Sequence, residues 1–228
     1  MLRLNKFILN LFKLLLLYLF MKSQKQILLE SLSERGFSDE ILNAFSKVKR
    51  EKFISKELRD SAYEDTALPT EKGQTISQPY TIAMMLSLLE LKKAQRVLEI
   101  GSGCGYVLAL LSEIIGEKGM VFGIEIIKEL VKSSKSILKG YKNIRVYNRD
   151  GNLGLEEKAS FDRILISAAS NKIPKPLIKQ LKNNGIIVAP LNSGAGQSLI
   201  AFKKTPKGEL KIKEEIPGFI FVPLVGKN

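Results

Sequence analysis

Val97-Leu98-Glu99-Ile100-Gly101-Ser102-Gly103-Cys104-Gly105-Tyr106 is the stretch that decides the fold. A short apolar run meets three glycines at alternate positions, and a second apolar run at helical spacing follows from Tyr106 to Ile115. Strand, tight turn and helix in that order make the first half of a βαβ unit. Glycine in the turn lets the chain reverse sharply and lets a ligand lie against bare backbone.

The same alternation continues towards the C-terminus. Strands are predicted over 120–124, 144–148, 161–167 and 185–190, with helices over 128–138 and 174–181 between them. Two further strands, 198–203 and 210–216, are joined through Pro206-Lys207-Gly208 and read as a hairpin. Alternating strands and helices require an α/β, Rossmann-like architecture: a mostly parallel twisted sheet with helices on both faces. Upstream, Ile27, Leu28 and Leu32 share a helical face that Gly36 ends. Ser38-Asp39-Glu40 opens a second helix carrying Ile41, Leu42, Phe45 and Val48. The stretch 62–79 has no clean period and is expected to be a long ordered loop, and Pro79 opens a helix through Leu91. The chain therefore divides into an apolar segment, 1–21, an N-terminal helical extension with its loop, 22–93, and the α/β core, 94–228.

Segment 1–21 is apolar without interruption from Leu14 to Met21, behind the cations Arg3, Lys6 and Lys13. No small-residue cleavage site follows. The uncharged run is shorter than the about 20 residues a spanning helix needs. Two readings stay open: translation that starts at Met21, or an interfacial anchor or uncleaved signal. Membrane contact, and any membrane-associated or exported form, is expected only under the second.

Composition narrows the chemistry. With no histidine among 228 residues, Ser-His-Asp triads, Cys-His pairs and His-ligated metals are excluded. The single Cys104 excludes an intrachain disulfide and a cysteine-rich zinc site. No metal is expected. The net charge of +13 would suit RNA, an anionic membrane or acidic partners. Its lysines are spread along the chain, and composition accounts for the excess without invoking a nucleic acid.

Acidic residues at strand ends carry the chemistry. Glu99 stands two residues before the first glycine of a G-x-G-x-G turn, which differs from the G-x-G-x-x-G of dinucleotide sites. A carboxylate there repels a pyrophosphate and suits an ammonium, which favours S-adenosylmethionine over NAD. Glu125 ends the next strand, where a carboxylate can accept hydrogen bonds from two ribose hydroxyls. Asp150-Gly151 follows the third strand, placed for an adenine amino group; alone, it is a turn. Parallel strands bring these three positions to one edge. A fourth stretch, Gly73-Gln74-Thr75-Ile76-Ser77-Gln78-Pro79-Tyr80, is a polar loop feeding a helix, for which a plain helix entry capped by Ser77 is a sufficient explanation.

Together these stretches resemble the protein-L-isoaspartate (D-aspartate) O-methyltransferase family. The matching segments are AYEDTALP (62–69), GQTISQPY (73–80), VLEIGSGCGY (97–106), GIE (123–125), RDGNLG (149–154), FDRILISAAS (161–170), IPKPLIKQLK (173–182) and FVPLVG (221–226). The loop GQTISQP and the late VPL are the most diagnostic. The resemblance spans residues 25–228 and implies a class I methyltransferase fold with an unusual order of its last two strands. It implies that S-adenosylmethionine is bound by Glu99, Gly101, Gly103, Glu125, Asp150 and Gly151, bordered by Gln74, Thr75, Ile76 and Ser77, with Ser77 as the active-site serine. The substrates implied are proteins and peptides bearing L-isoaspartyl or D-aspartyl residues, methylated on a free carboxylate to start repair. A monomeric, cytoplasmic enzyme is expected. The segment Thr70-Glu71-Lys72 is more polar than the family's usual lead-in, and Cys104 stands where serine is common.

Two other readings compete. An RNA methyltransferase would suit the charge, but amino-directed enzymes of that kind carry an Asn/Asp-Pro-Pro-aromatic motif where this chain reads Ile166-Ser167-Ala168-Ala169-Ser170. A degenerate cofactor-binding or membrane-tethered regulator would lack activity on isoaspartyl peptides.

Overall fold

The computed structural model describes residues 22–194 and 196–226, so the expectations for segment 1–21 lie outside the described residues. The chain opens with α1 (Gln24–Glu34), started by a capping box in which Ser23 and Gln26 satisfy each other's backbone N–H, and α2 (Asp39–Lys47). The segment expected to be a featureless loop contains a minimal antiparallel pair, β1 (Leu68–Pro69) with β2 (Thr75–Ile76), before α3 (Pro79–Leu88) begins. Two residues per strand are too few to leave a period in the sequence.

The core then follows the expected alternation: β3 (Arg96–Ile100), α4 (Tyr106–Ile115), β4 (Met120–Glu125), α5 (Lys128–Ile137), β5 (Ile144–Asn148) and β6 (Phe161–Ile166). A short α6 (Lys175–Gln180) leads to β7 (Leu181–Ser193), β8 (Gly196–Lys204) and β9 (Leu210–Phe219). One seven-stranded sheet runs β5-β4-β3-β6-β7-β8-β9. The first five positions are parallel; β7, β8 and β9 lie side by side as an antiparallel meander. The last two strands, whose order the resemblance singled out, lie in chain order, β8 beside β7 and β9 at the sheet's edge.

Two apolar cores sandwich the sheet, unevenly. Val97, Val121, Val146 and Leu165 face α1 to α5. Leu98, Ile100, Phe122 and Ile124 face the opposite side, covered by α6 through Leu177 and by loop residues Leu155 and Ile173. Strict alternation along β3 and β4 thus assigns side chains to two buried faces, and each fully buried branched residue contributes about 1.5–3 kcal/mol. Polar side chains join the layers at their ends. Arg163 donates to the carbonyls of Leu89 and Glu90, closing the C-terminus of α3.

The chain runs outward from β3 to β5, then returns to place β6 on the other side of β3. That reversal opens a crevice at the carboxyl ends of β3 and β6, the usual place for a ligand in an open α/β sheet.

Candidate active site

The glycine turn forms at this crevice. Gly101 and Ser102 both donate their N–H to the carbonyl of Ile124, which bends the chain across the end of β4. Gly101 (φ +76°) and Gly105 (φ +87°) occupy the left-handed region that L side chains avoid. A Cβ on Gly105 would also stand 2.8 Å from Leu138. Bare backbone is therefore needed to enter α4 at this angle.

Glu125 holds the turn from beneath. It is buried, with one carboxylate oxygen accepting from the Gly103 N–H and the other from the Ile127 N–H, each at 2.9 Å. A carboxylate has about four acceptor positions, so two remain for hydroxyl donors. At the end of β5, Asp150 accepts from the backbone N–H of Asn152 at 2.9 Å and from its side-chain amide at 3.0 Å. Gly151 is glycine for packing: a Cβ there would lie 2.3 Å from Ile100.

Glu99 differs from the other two acids. It is 1% exposed. Its Oε1 accepts from the Ser167 hydroxyl at 2.8 Å, and its Oε2 has no hydrogen-bond partner. Burial raises its carboxyl to about 8; the Ser167 hydrogen bond opposes the shift and the neighbouring Glu125 charge adds to it. A buried carboxyl with an orphan oxygen beside a glycine turn is a receptor for a cation, because leaving such an atom unpaired costs about 1–3 kcal/mol. The donor set fits S-adenosylmethionine: Glu99 for the ammonium, the glycine turn for close approach, Glu125 for the ribose.

On the other side of Ser167 lies a cavity of about 380 Å³, lined by Ser77, Thr75 and Gln78, by Tyr80 and Thr81 of α3, and by Ile216 to Val222 at the end of β9. Two anchors fix Ser77. The β1–β2 pair sets Leu68 opposite Ile76. Asp65 accepts from the Tyr80 N–H at 2.8 Å at the start of α3, and Arg35 pairs with Asp65 at 3.3 Å. The capping position belongs to Gln78, so the plain helix-entry explanation for Ser77 does not apply. Ser77 and Thr75 line the cavity. Ile76 is 3% exposed and packs into the core, so it can offer a ligand only backbone. Gln74 is half-buried; its carbonyl accepts from the Thr70 N–H at 2.7 Å.

Two elements were given no role at the site by the sequence. Ser167 sits between the two compartments, bonded to Glu99 and lining the cavity of Ser77. The segment 221–226 crosses the carboxyl edge as a strap: Ala169 donates to the Val222 carbonyl at 2.8 Å and Leu224 donates to the Ala169 carbonyl at 2.7 Å. Gln197 clamps its start, accepting from the Phe221 N–H at 2.6 Å and donating to the Phe221 carbonyl at 3.3 Å. The motif FVPLVG was the available signal for the strap; Ser167 had none beyond polarity inside an apolar run. Cys104 is no thiolate nucleophile, since burial pushes its thiol up to about 11.

A family model described as protein-L-isoaspartate(D-aspartate) O-methyltransferase matches residues 23–228. A protein-L-isoaspartate O-methyltransferase of Petrotoga mobilis is 45% identical over 212 residues, covering 91% of this chain and 98% of the relative. That of Methanothrix thermoacetophila is 41% identical over 206 residues, covering 90% and 96%. A solved protein-L-isoaspartate O-methyltransferase superposes with a TM-score of 0.81 at 31% identity, covering 89% of this chain and 66% of that one. A Plasmodium falciparum structure assigned to the same activity, in complex with S-adenosyl-L-homocysteine, gives a TM-score of 0.77 at 26% identity, covering 90% and 99%.

Proposed function

This chain belongs to the protein-L-isoaspartate(D-aspartate) O-methyltransferase family, and from that premise we propose how its own residues carry out methylation of isoaspartyl carboxylates. The observation that carries the reading is the shared wall: Ser167 is bonded to Glu99 on the cofactor side and lines the cavity of Ser77 on the other. When bound, S-adenosylmethionine supplies an electrophilic methyl group on a sulfonium.

Glu99 receives the ammonium, Glu125 the ribose hydroxyls and Asp150 the adenine amino group, while Gly101 and Gly103 let the backbone approach. Ser77 donates a hydrogen bond to the substrate carboxylate and holds it in line. That carboxylate has a pKa near 4 and is ionised at neutral pH, so no general base is required. A histidine-free chain suffices for such chemistry. The protein's contribution is alignment and exclusion of water, to which the strap 221–226 adds a cover. The reading carries with it a monomeric enzyme of the cytoplasm. The RNA-methyltransferase alternative gains nothing from the relatives reported above.

The test is labelled methyl transfer to an isoaspartyl peptide beside its normal aspartyl twin. The expected product forms with the first peptide alone and is base-labile. Equal labelling of both, or of neither, overturns the reading.

A further inference from the structure

Lysines occur along the whole chain, but part of the net charge gathers in one stretch. Residues 126–149 carry seven lysines and arginines against one acid, Glu129, and that acid is paired with Lys72 at 3.2 Å. Folding gathers four of the seven further. Lys135 of α5, Lys139 of the turn after it, and Arg145 and Arg149 around β5 line one groove of about 550 Å³, together with half-buried Tyr141 and Tyr147. All four cations are exposed. Lys135 and Lys139 form no ion pair among the described residues. Arg145 donates to the carbonyls of Lys142 and Ile144, each at 2.8 Å, which fixes its guanidinium at the groove.

The groove borders β5, which among the described residues is an edge strand paired only with β4. Three strand spacings of about 4.8 Å separate β5 from β6, so the groove stands roughly 15 Å from the wall that carries Ser167. Its lining shares no residue with the candidate active site, although Arg149 adjoins Asp150.

We propose that this groove docks extended acidic segments of the protein substrates. The inference rests on the isoaspartyl-methylating function proposed above. Charge complementarity is the first argument: four exposed cations, two on α5 and the turn after it and two around β5, attract a run of carboxylates and raise the encounter rate. Chemistry supplies the second. Isoaspartyl residues arise from aspartyl and asparaginyl residues, and each conversion from asparagine adds a carboxylate, so clients are anionic where they are damaged. The third is geometric: an open strand edge accepts an extended peptide through main-chain hydrogen bonds. A single-stranded nucleic acid would need open aromatic faces. The Tyr147 ring is occupied by Arg149, 5.9 Å from its centroid, and Arg149 is held by Glu157 at 2.6 Å.

The test uses the full chain and its K135E/K139E variant, with K135R/K139R as the charge-conserving control. Fluorescence anisotropy at low salt measures a glutamate- and aspartate-rich peptide without isoaspartate against a glycine-serine peptide and an oligouridylate. The acidic peptide is expected to bind about tenfold or more tighter than the neutral one, with the difference lost in K135E/K139E, kept in K135R/K139R and screened by salt. In methyl transfer, kcat/KM for an isoaspartyl peptide with an acidic extension falls about tenfold in K135E/K139E, while a short neutral isoaspartyl peptide is methylated at the parental rate. Indifference to the acidic extension, or oligouridylate bound at this groove in preference to the acidic peptide, overturns the proposal. Anisotropy needs no catalysis, so failure of the docking surface and failure of the methylation reading are separate results.

Discussion

The Ser167 hydroxyl donates to Glu99 Oε1 at 2.8 Å while its other side faces the cavity of Ser77. Glu99 Oε2, 1% exposed as a residue, has no partner, and burial raises the carboxyl to about 8. The folded protein therefore keeps a proton that the unfolded chain releases above about pH 4.3. Its stability falls as pH rises from there to about 8 and levels off beyond. Glu99→Gln has no charge to desolvate. By urea denaturation it should match the parent near pH 4 and exceed it at pH 9. An approaching ammonium also draws Glu99 to its ionised form. Calorimetry at pH 7 in buffers of different ionisation enthalpy should thus show proton release on cofactor binding, absent in Glu99→Gln. Identical stability profiles would exclude a buried neutral acid at this position.

Glu125 supports the glycine turn as well as the ligand, because its two oxygens accept from Gly103 and Ile127. Charge-assisted bonds of this kind contribute about 1.5–3 kcal/mol each. Glu125→Ala should weaken cofactor binding about tenfold or more and lower the melting temperature by several degrees. Titration calorimetry with S-adenosylmethionine and a thermal melt check both; unchanged affinity removes Glu125 from the cofactor site.

The α/β core was legible because parallel strands buried on both faces read as short apolar runs: Val97 and Leu98 with Ile100, and Ile164 to Ile166, are such runs. Glu99 stood out because it interrupts one run and Glu125 because it ends another; Asp150 stood out only by its place after β5. What was not legible depends on neighbours distant in sequence. The strand β7 begins at Leu181, where a helix was expected to end, because a register shift between Phe161 and Arg163 lets it start early, with Asn184 at φ +63°. The strap 221–226 has no period of its own, and its path is set by Gln197, 24 residues upstream of Phe221. Glycine at 123 has the same kind of cause. A Cβ there would stand 2.7 Å from Leu108, which only the approach of α4 to β4 reveals.

Gly123→Ala follows from that contact. The added methyl group pushes Leu108 away and meets the Ser102 hydroxyl at 3.0 Å, so strain enters the glycine turn as well as the core. Overpacking of this kind costs about 1–3 kcal/mol. Denaturant unfolding should report that loss, accompanied by weaker cofactor binding; a variant as stable as the parent would mean that α4 shifts freely.

Gln197 governs the strap without lining the cavity. Gln197→Ala removes both bonds to Phe221, leaving the segment held by its two backbone bonds to Ala169. Amide hydrogen exchange at Phe221, Val222 and Leu224 should accelerate, and KM for an isoaspartyl peptide should rise about three- to tenfold with a smaller change in kcat. Loss of kcat at unchanged KM would instead place Gln197 among the groups that act on the reacting atoms.

Ser77 makes the sharpest demand on the geometry. The β1–β2 pair and the Asp65 bond to Tyr80 fix its backbone independently of its hydroxyl. Ser77→Ala should therefore leave the fold and the cofactor affinity intact. The hydroxyl's role is to hold an ionised carboxylate in line, and one hydrogen bond to a charged group is worth about 1.5–3 kcal/mol, roughly ten- to a hundredfold in rate. Methyl-transfer kinetics should show that loss in kcat/KM at an unaltered dissociation constant for S-adenosylmethionine. Full turnover in Ser77→Ala would remove the hydroxyl from carboxylate alignment and leave that role to another residue lining the same cavity.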